Sequence, residues 1–329
     1  MADSGPVLSV IITSYAKNRL PGVFNLLESL KAQTYEHIEI VFVGEREPEL
    51  CEQVKDYADQ QGMRSVIVLF NDGQPGLSAA RNRGIKHANG DIVGFVDDDV
   101  MLFPEWAEAM VEGYEDGSVI GVTGPALPLW EDSRMGWFPE ELYWIISCTG
   151  WTGWNEAREA RSAWGHGMSF KREAFHEAGL FDTAAGSQGG YSPNIAEDLE
   201  FSLRAKRRTG KRIVFNPRAR LWHKVPKSRL GLRFIIDRAR HIGVSRYQLK
   251  KLYPDDRQLF DLEVGQFGRI LKMLLKVPGE FLSNPKNACR KFLVTFVVLA
   301  SAAWGYAVAF VWLDILKRGR RVWSSGHRN

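Results

Sequence analysis

The chain has 329 residues, 45% of them hydrophobic and 25% charged, and a formal net charge of +4. This balance excludes a disordered chain and supplies a full core for one large domain with appendages or for two domains. Cys51, Cys148 and Cys289 lie far apart and fit no CxxC or Cys/His spacing, which excludes a disulfide framework and a zinc site and fits a reducing compartment.

Met1 to Pro6 has no charged stretch followed by an apolar core, so no signal peptide is expected. Residues 7–12 form a β-branched run and 20–32 repeat apolar residues at helical spacing through Val23, Leu26, Leu27 and Leu30. Strands at 38–43 and 65–70 flank a helix over 48–61, and a glycine-bearing loop, 71–77, leads into a helix over 78–88. The apolar run Ile92 to Val96 then ends in Asp97-Asp98-Asp99. Further strands are expected at 119–124, 163–170 and, last, 213–215, with helices at 172–178 and 199–208. Such alternation predicts an α/β fold with a mainly parallel sheet and helices on both faces.

After Pro226 the pattern changes to basic amphipathic segments, 230–252 and 267–282, which fit a membrane surface better than a core. From Lys224 to Lys291 basic residues outnumber acidic ones, a balance that suits phosphate-bearing partners or an ordinary solvated face. Residues 292–313 carry no charge, and as a helix they span ~33 Å against a hydrocarbon core of about 30 Å. A membrane segment is favoured over a buried helix because no polar face interrupts the run. Basic residues bracket it on both sides, so charge bias sets no orientation. The expected organisation is an α/β domain over 1–225, a basic juxtamembrane region over 226–290, a membrane-inserted helix over 291–316 and a basic tail over 317–329.

In open α/β sheets ligands bind beyond the carboxyl ends of the strands, which here carry Thr13-Ser14-Tyr15, Gly44-Glu45, Asn71-Asp72 and the three aspartates. Clustered carboxylates at a strand end are either hard ligands for a divalent cation against phosphate or a solvated turn. Glu45 and Asp72 can accept from a uracil N–H, and Arg81 can stack on the base. Each also has a plainer reading as a solvated acid, an Asp-Gly turn or a surface helix residue.

Five ordered motifs carry a resemblance: residues 10–15 (VIITSY), 76–84 (GLSAARNRG), 94–99 (GFVDDD), 167–172 (GMSFKR) and Glu197-Asp198. Together, over about 7–225, they resemble family 2 inverting glycosyltransferases of the GT-A fold. The resemblance implies a nucleotide-sugar donor bound through Thr13, Tyr15, Glu45, Asp72, Arg81, Asp97 and Asp98, with Mg²⁺ or Mn²⁺ on Asp97 and Asp99. It implies Asp198 as the catalytic base. His223 falls where members carry a metal- or phosphate-proximal histidine, and a surface imidazole in a basic segment is the alternative. Asn194 to Glu197 has capping-box spacing, so Glu197 serves either the helix start or the acceptor. Gly44-Glu45-Arg46-Glu47 stands where many relatives have paired aspartates, and no QxxRW follows Asp198, which favours single transfer over processive synthesis.

Six tryptophans, Trp130, Trp137, Trp144, Trp151, Trp154 and Trp164, either line an acceptor site, with Trp164 and Glu197 as acceptor contacts, or pack together. Residues 137–144 (WFPEELYW), Cys148-Thr149 and 44–50 resemble a narrower branch, membrane-bound enzymes similar to glucosyl-dolichyl-phosphate glucuronosyltransferase. That resemblance implies a UDP-sugar donor and a polyprenyl- or dolichyl-phosphate-linked sugar acceptor on the cytoplasmic face of a membrane. Arg158, Arg161 and Lys171 are the cations available to a glucuronate carboxylate. The alternatives are transfer in surface polysaccharide assembly, glycosylation of lipid phosphate, or a non-catalytic, membrane-tethered nucleotide-sugar-binding protein. No GxGxxG follows the first strand and no P-loop occurs; the aromatic cluster lies outside the most basic stretch, so no nucleic-acid partner is expected.

Overall fold

β1 (Leu8–Ser14) lies inside an eight-stranded sheet, and its residues alternate between two buried cores. The computed structural model describes residues 5–63, 65–183, 196–254, 256 and 259–316. The chain runs on through α1 (Leu20–Lys31), β2 (Ile38–Glu45), α2 (Pro48–Gln60), β3 (Val66–Asn71), α3 (Leu77–His87) and β4 (Ile92–Asp97). β5 (Val100–Leu102), α4 (Trp106–Glu112), β6 (Val119–Thr123), β7 (Ala126–Trp130) and β8 (Arg158–Ala160) follow. Then come β9 (Gly167–Lys171), α5 (Arg172–Ala178), α6 (Glu197–Thr209), β10 (Arg212–Phe215) and β11 (Leu221–Val225).

The main sheet has the order β3-β2-β1-β4-β9-β6-β10-β8. β3, β2, β1 and β4 run parallel, while β9 returns antiparallel between β4 and β6. Leu8, Val10 and Ile12 pack with α1, α2 and α4 on one face, and Ile11, Val93 and Phe95 with α3, α5 and α6 on the other. Helices on both faces explain why these strands read as near-continuous apolar runs. A small sheet, β5-β11-β7, stands beside the acidic tip.

Several expectations are corrected. Residues 163–166 are loop rather than strand, because β9 begins at Gly167. β10 is not the last strand; β11 follows and carries His223. β5, β7 and β8 are only three to five residues long, too short to show alternation in sequence. α6 starts at Glu197 with Ala196 at the N-cap, so Glu197 sits at the first helical position rather than the third, and Asn194 lies outside the described residues.

The chain divides into two compact units, residues 5–129, 147–183 and 196–225 in one, and 130–146 with the chain from Pro226 in the other. The second unit holds α7 (Leu232–Leu252), α8 (Asp261–Ser283) and α9 (Pro285–Phe310). α7 and α9 touch backbone to backbone: a Cβ on Gly243 would stand 2.0 Å from the Ala302 carbonyl oxygen, and one on Gly305 2.0 Å from that of Arg240. Only residues without side chains permit such an approach. Among the described residues, α9 is the one helix long and apolar enough to cross a membrane. α8 exposes Val264, Phe267, Leu271, Leu275 and Leu282, as an amphipathic helix would at an interface. The basic tail, 317–329, lies outside the described residues.

Candidate active site

Parallel register brings Thr13 beside both Val43 and Asp97, and Glu45 beside Asn71, so the strand ends form one edge. Asp97, Asp99 and His223 each offer a ligand atom, all within 4.8 Å of one another. β11 brings in the histidine by pairing His223 with Val100 of β5, immediately after the aspartates. His223 is buried, 1% exposed, and its Nε2 lies 3.4 Å from Asp99 Oδ1, which rules out the surface-imidazole alternative. Two hard carboxylates and one imidazole are a donor set that suits Mg²⁺ or Mn²⁺.

The charge balance fits a cation as well. Burial pushes the Asp97 carboxyl up to about 7; Arg81 opposes the rise, and Asp99, Asp98 and Glu197 add to it. Two arginines face the tip, Arg81 at 3.4 Å from Asp97 and Arg19 at 3.4 Å from Asp99, and a divalent ion would hold both aspartates ionised against their burial.

Asp98 belongs to a different contact set. Its Oδ2 accepts from Ser14 Oγ at 2.5 Å and from Arg19 Nε at 2.6 Å, and the carboxylate is 4% exposed. Burial raises its pKa against the pull of Arg19 and Ser14. The acid is therefore a buried anchor between β4 and the start of α1. A Cβ on Gly22 would meet the Asp98 carbonyl oxygen at 2.4 Å, so that approach requires glycine.

Arg81 is a buried hub, not a surface residue. Its Nη1 donates to Glu197 Oε1 at 2.9 Å, and its Nη2 lies 3.4 Å from Asp97 Oδ1 and 3.2 Å from the Gly165 carbonyl oxygen. The guanidinium is thereby occupied between two acids rather than extended toward a base. Asp198, next on α6, accepts from the Gly165 N–H at 2.8 Å and the Leu199 N–H at 2.7 Å. Burial and the neighbouring Glu197 raise its pKa; the two N–H bonds and Arg81 oppose them. A raised carboxyl, still held as an acceptor, is a stronger proton acceptor than an ordinary aspartate.

Glu45 is buried and accepts from the Gly76 N–H at 2.8 Å, tying β2 to the loop before α3. Asp72 is exposed and pairs with Arg83 at 2.8 Å. The Tyr15 ring is 47% exposed, with Arg19 at 5.1 Å and Arg46 at 5.3 Å from its centroid, a flat cationic-aromatic surface at the edge.

Trp164 packs on Trp151, Trp154 and Phe215 at centroid distances of 6.3, 5.8 and 5.9 Å, with His166 beyond it at 6.3 Å. Packing therefore accounts for these three tryptophans. Of the cations considered for a carboxylate, Lys171 pairs with Ile92 at the opposite end of β4, and Arg158 lies over Trp154 at 4.9 Å. Sequence reasoning missed Arg19, Gly165 and His166. Gly165-His166-Gly167, small residues beside an imidazole, was the signal for the last two.

A parallel sheet with an acid-tipped inner strand, an antiparallel return strand and a carboxylate pair on the following helix defines the GT-A class of nucleotide-sugar transferases. Residues 9–179 match the model of glycosyl transferase family 2, more than half of the chain, and the protein belongs to that family. It is a glycosyltransferase. Over 317 residues it is 29% identical to glucosyl-dolichyl phosphate glucuronosyltransferase of Haloferax volcanii, covering 94% of this chain and 98% of the relative. It is 28% identical to the uncharacterized glycosyltransferase EpsJ of Bacillus subtilis, covering 87% and 82%. The fold is shared with the mannosyltransferase PcManGT of Pyrobaculum calidifontis, solved with GDP-Man and Mn²⁺ (TM-score 0.62, 18% identity, 92% of this chain and 87% of that one). It is also shared with GalNAc-T7, solved with UDP, GalNAc and Mn²⁺ (TM-score 0.53, 17% identity, 80% and 55%).

Proposed function

We infer that the protein transfers a sugar, glucuronic acid, with inversion, from a UDP-sugar to a polyprenyl- or dolichyl-phosphate-linked sugar at a membrane, its catalytic unit on the cytoplasmic side. The observation that carries the transfer reaction is the juxtaposition of a cation-ready group, Asp97, Asp99 and His223, with a raised carboxyl, Asp198, through the shared neighbour Arg81. The choice of donor and acceptor is supported by the relative from Haloferax volcanii, which matches over nearly the full length of both chains. Membrane residence is supported by α9.

In this reading Asp198 takes the proton of the acceptor hydroxyl as that oxygen attacks the anomeric carbon, and the N–H groups of Gly165 and Leu199 orient the carboxylate. Glu197, held by Arg81, lies next to the base and is free of the metal group. Asp97, Asp99 and His223 would hold a divalent cation, which would supply charge neutralisation for the departing diphosphate. One base opposite one leaving group gives a single displacement. Tyr15, between Arg19 and Arg46, offers a surface for the nucleotide base.

The test is to incubate the full chain in detergent with UDP-glucuronic acid, Mn²⁺ and glucosyl polyprenyl phosphate. A lipid product heavier by one glucuronosyl residue is expected. Neither product nor UDP release, with UDP still bound, would make the protein a binding module instead.

A further inference from the structure

His166 stands in the site with no role in the chemistry described above. β9 is antiparallel to β4 with Gly167 opposite Val96, so one further step along the two chains sets His166 beside Asp97. The preceding residue, Gly165, bonds both Asp198 and Arg81. The imidazole is 7% exposed, and its ring centroid lies 6.2 Å from that of His223 and 6.3 Å from that of Trp164. Its Nε2 is buried and has no hydrogen-bond partner among the described residues. It is not one of the three metal-ready donors.

A buried ring nitrogen without a partner is costly unless something satisfies it. The packing of the neighbouring tryptophan does not need that nitrogen; an aromatic ring alone would fill the space. Its position, beside the cation group and next in the chain to the Gly165 that bonds the base, is near where the sugar undergoing transfer and the hydroxyl attacking it must meet. A neutral imidazole nitrogen and a sugar hydroxyl are each able to donate or accept, so they pair in either sense. We propose that His166 is a sugar-contacting residue whose Nε2 makes a hydrogen bond with a sugar hydroxyl, of the donor or of the acceptor. The assignment rests on the glycosyl transfer inferred above.

The experiment compares wild type with His166→Phe, which keeps the ring and loses the nitrogens, and with His166→Gln, which keeps a hydrogen-bonding group. Calorimetry gives the affinities for UDP-glucuronic acid and for UDP, each with Mn²⁺, and kinetics gives KM for glucosyl polyprenyl phosphate. Loss of one such bond corresponds to about 5- to 10-fold. A contact to the donor weakens UDP-glucuronic acid by that factor in His166→Phe, leaves UDP unchanged and is largely restored in His166→Gln. A contact to the acceptor leaves both affinities unchanged and raises the acceptor KM by the same factor.

Equal weakening of UDP and UDP-glucuronic acid, or no change in any of the three quantities, overturns the proposal. For wild type labelled with ¹⁵N-histidine, adding the sugar ligand that His166 contacts, donor or acceptor, in Mg²⁺ shifts the His166 Nε2 resonance where UDP alone does not. This measurement needs no folded variant, and absence of any shift also overturns the assignment. Wild type that binds UDP-glucuronic acid but transfers nothing refutes the inferred reaction and leaves the donor contact testable by affinity.

Discussion

Replacing Asp97 by asparagine separates the cost of the acidic tip from its use. Without a cation the Asp97 carboxyl is pushed from its ordinary 3.8 up to about 7. Across that gap ionisation costs at most about 4 kcal/mol, at about 1.4 kcal/mol per tenfold change. The side chain is 34% exposed, and solvent screening brings the cost to about 1–2 kcal/mol. Because the folded-state pKa lies above the unfolded one, the penalty is absent below about 3.8, grows as pH rises and is complete above about 7. Asp97→Asn in the cation-free chain therefore melts about 2–4 °C higher than wild type at pH 8 and gains less at pH 5.5. Adding Mn²⁺ reverses the order, because wild type is stabilised by binding and the variant loses a ligand. Thermal unfolding in detergent with EDTA or Mn²⁺, at both pH values, tests all of this. A variant less stable than wild type in EDTA at pH 8, or one with an undiminished Mn²⁺ shift, would refute the reasoning.

Asp198→Asn lowers kcat/KM by about 10²- to 10⁴-fold, the range of a lost general base, while UDP affinity measured by calorimetry stays within about 2-fold. In wild type, activity falls as pH drops through the raised Asp198 pKa, so the acid limb of the rate profile lies above the ordinary aspartate range; a limb at that ordinary value would exclude Asp198 as the base. Gly243→Val drives a side chain into the Ala302 carbonyl and destabilises the helical unit by about 2–3 kcal/mol, read as a lower melting temperature, while Gly265→Val, where a Cβ meets nothing within 4 Å, costs less than 1 kcal/mol.

The sheet and its acidic edge were legible because both rest on local patterns. Strands buried on two faces read as apolar runs, and turn residues mark where they stop at Ser14, Glu45, Asn71 and Asp97. The links between distant segments were not legible. Arg81 and Glu197 are 116 residues apart, and Arg19 and Asp98 79 apart, and no spacing rule joins such pairs. Short strands failed for a related reason: β11 is held by pairing with β5, which itself spans three residues. His223 therefore had two readings in sequence, and only tertiary pairing separates them. Arg81 reads as one of several basic residues on a polar helix until the fold buries it.

The paired glycines of α7 and α9 have a mechanical consequence. With carbonyls seated in each other's missing side chains, the two helices cannot slide or rotate past one another without a steric collision. Asp314, past the end of α9, accepts from Tyr247 and pairs with Lys251 at 2.7 Å, adding a second fastening one to two turns further along α7. A bilayer that fixes the height of α9 would thus set the height and roll of the basic helix α7, making the pair a gauge of insertion depth rather than a loose tether.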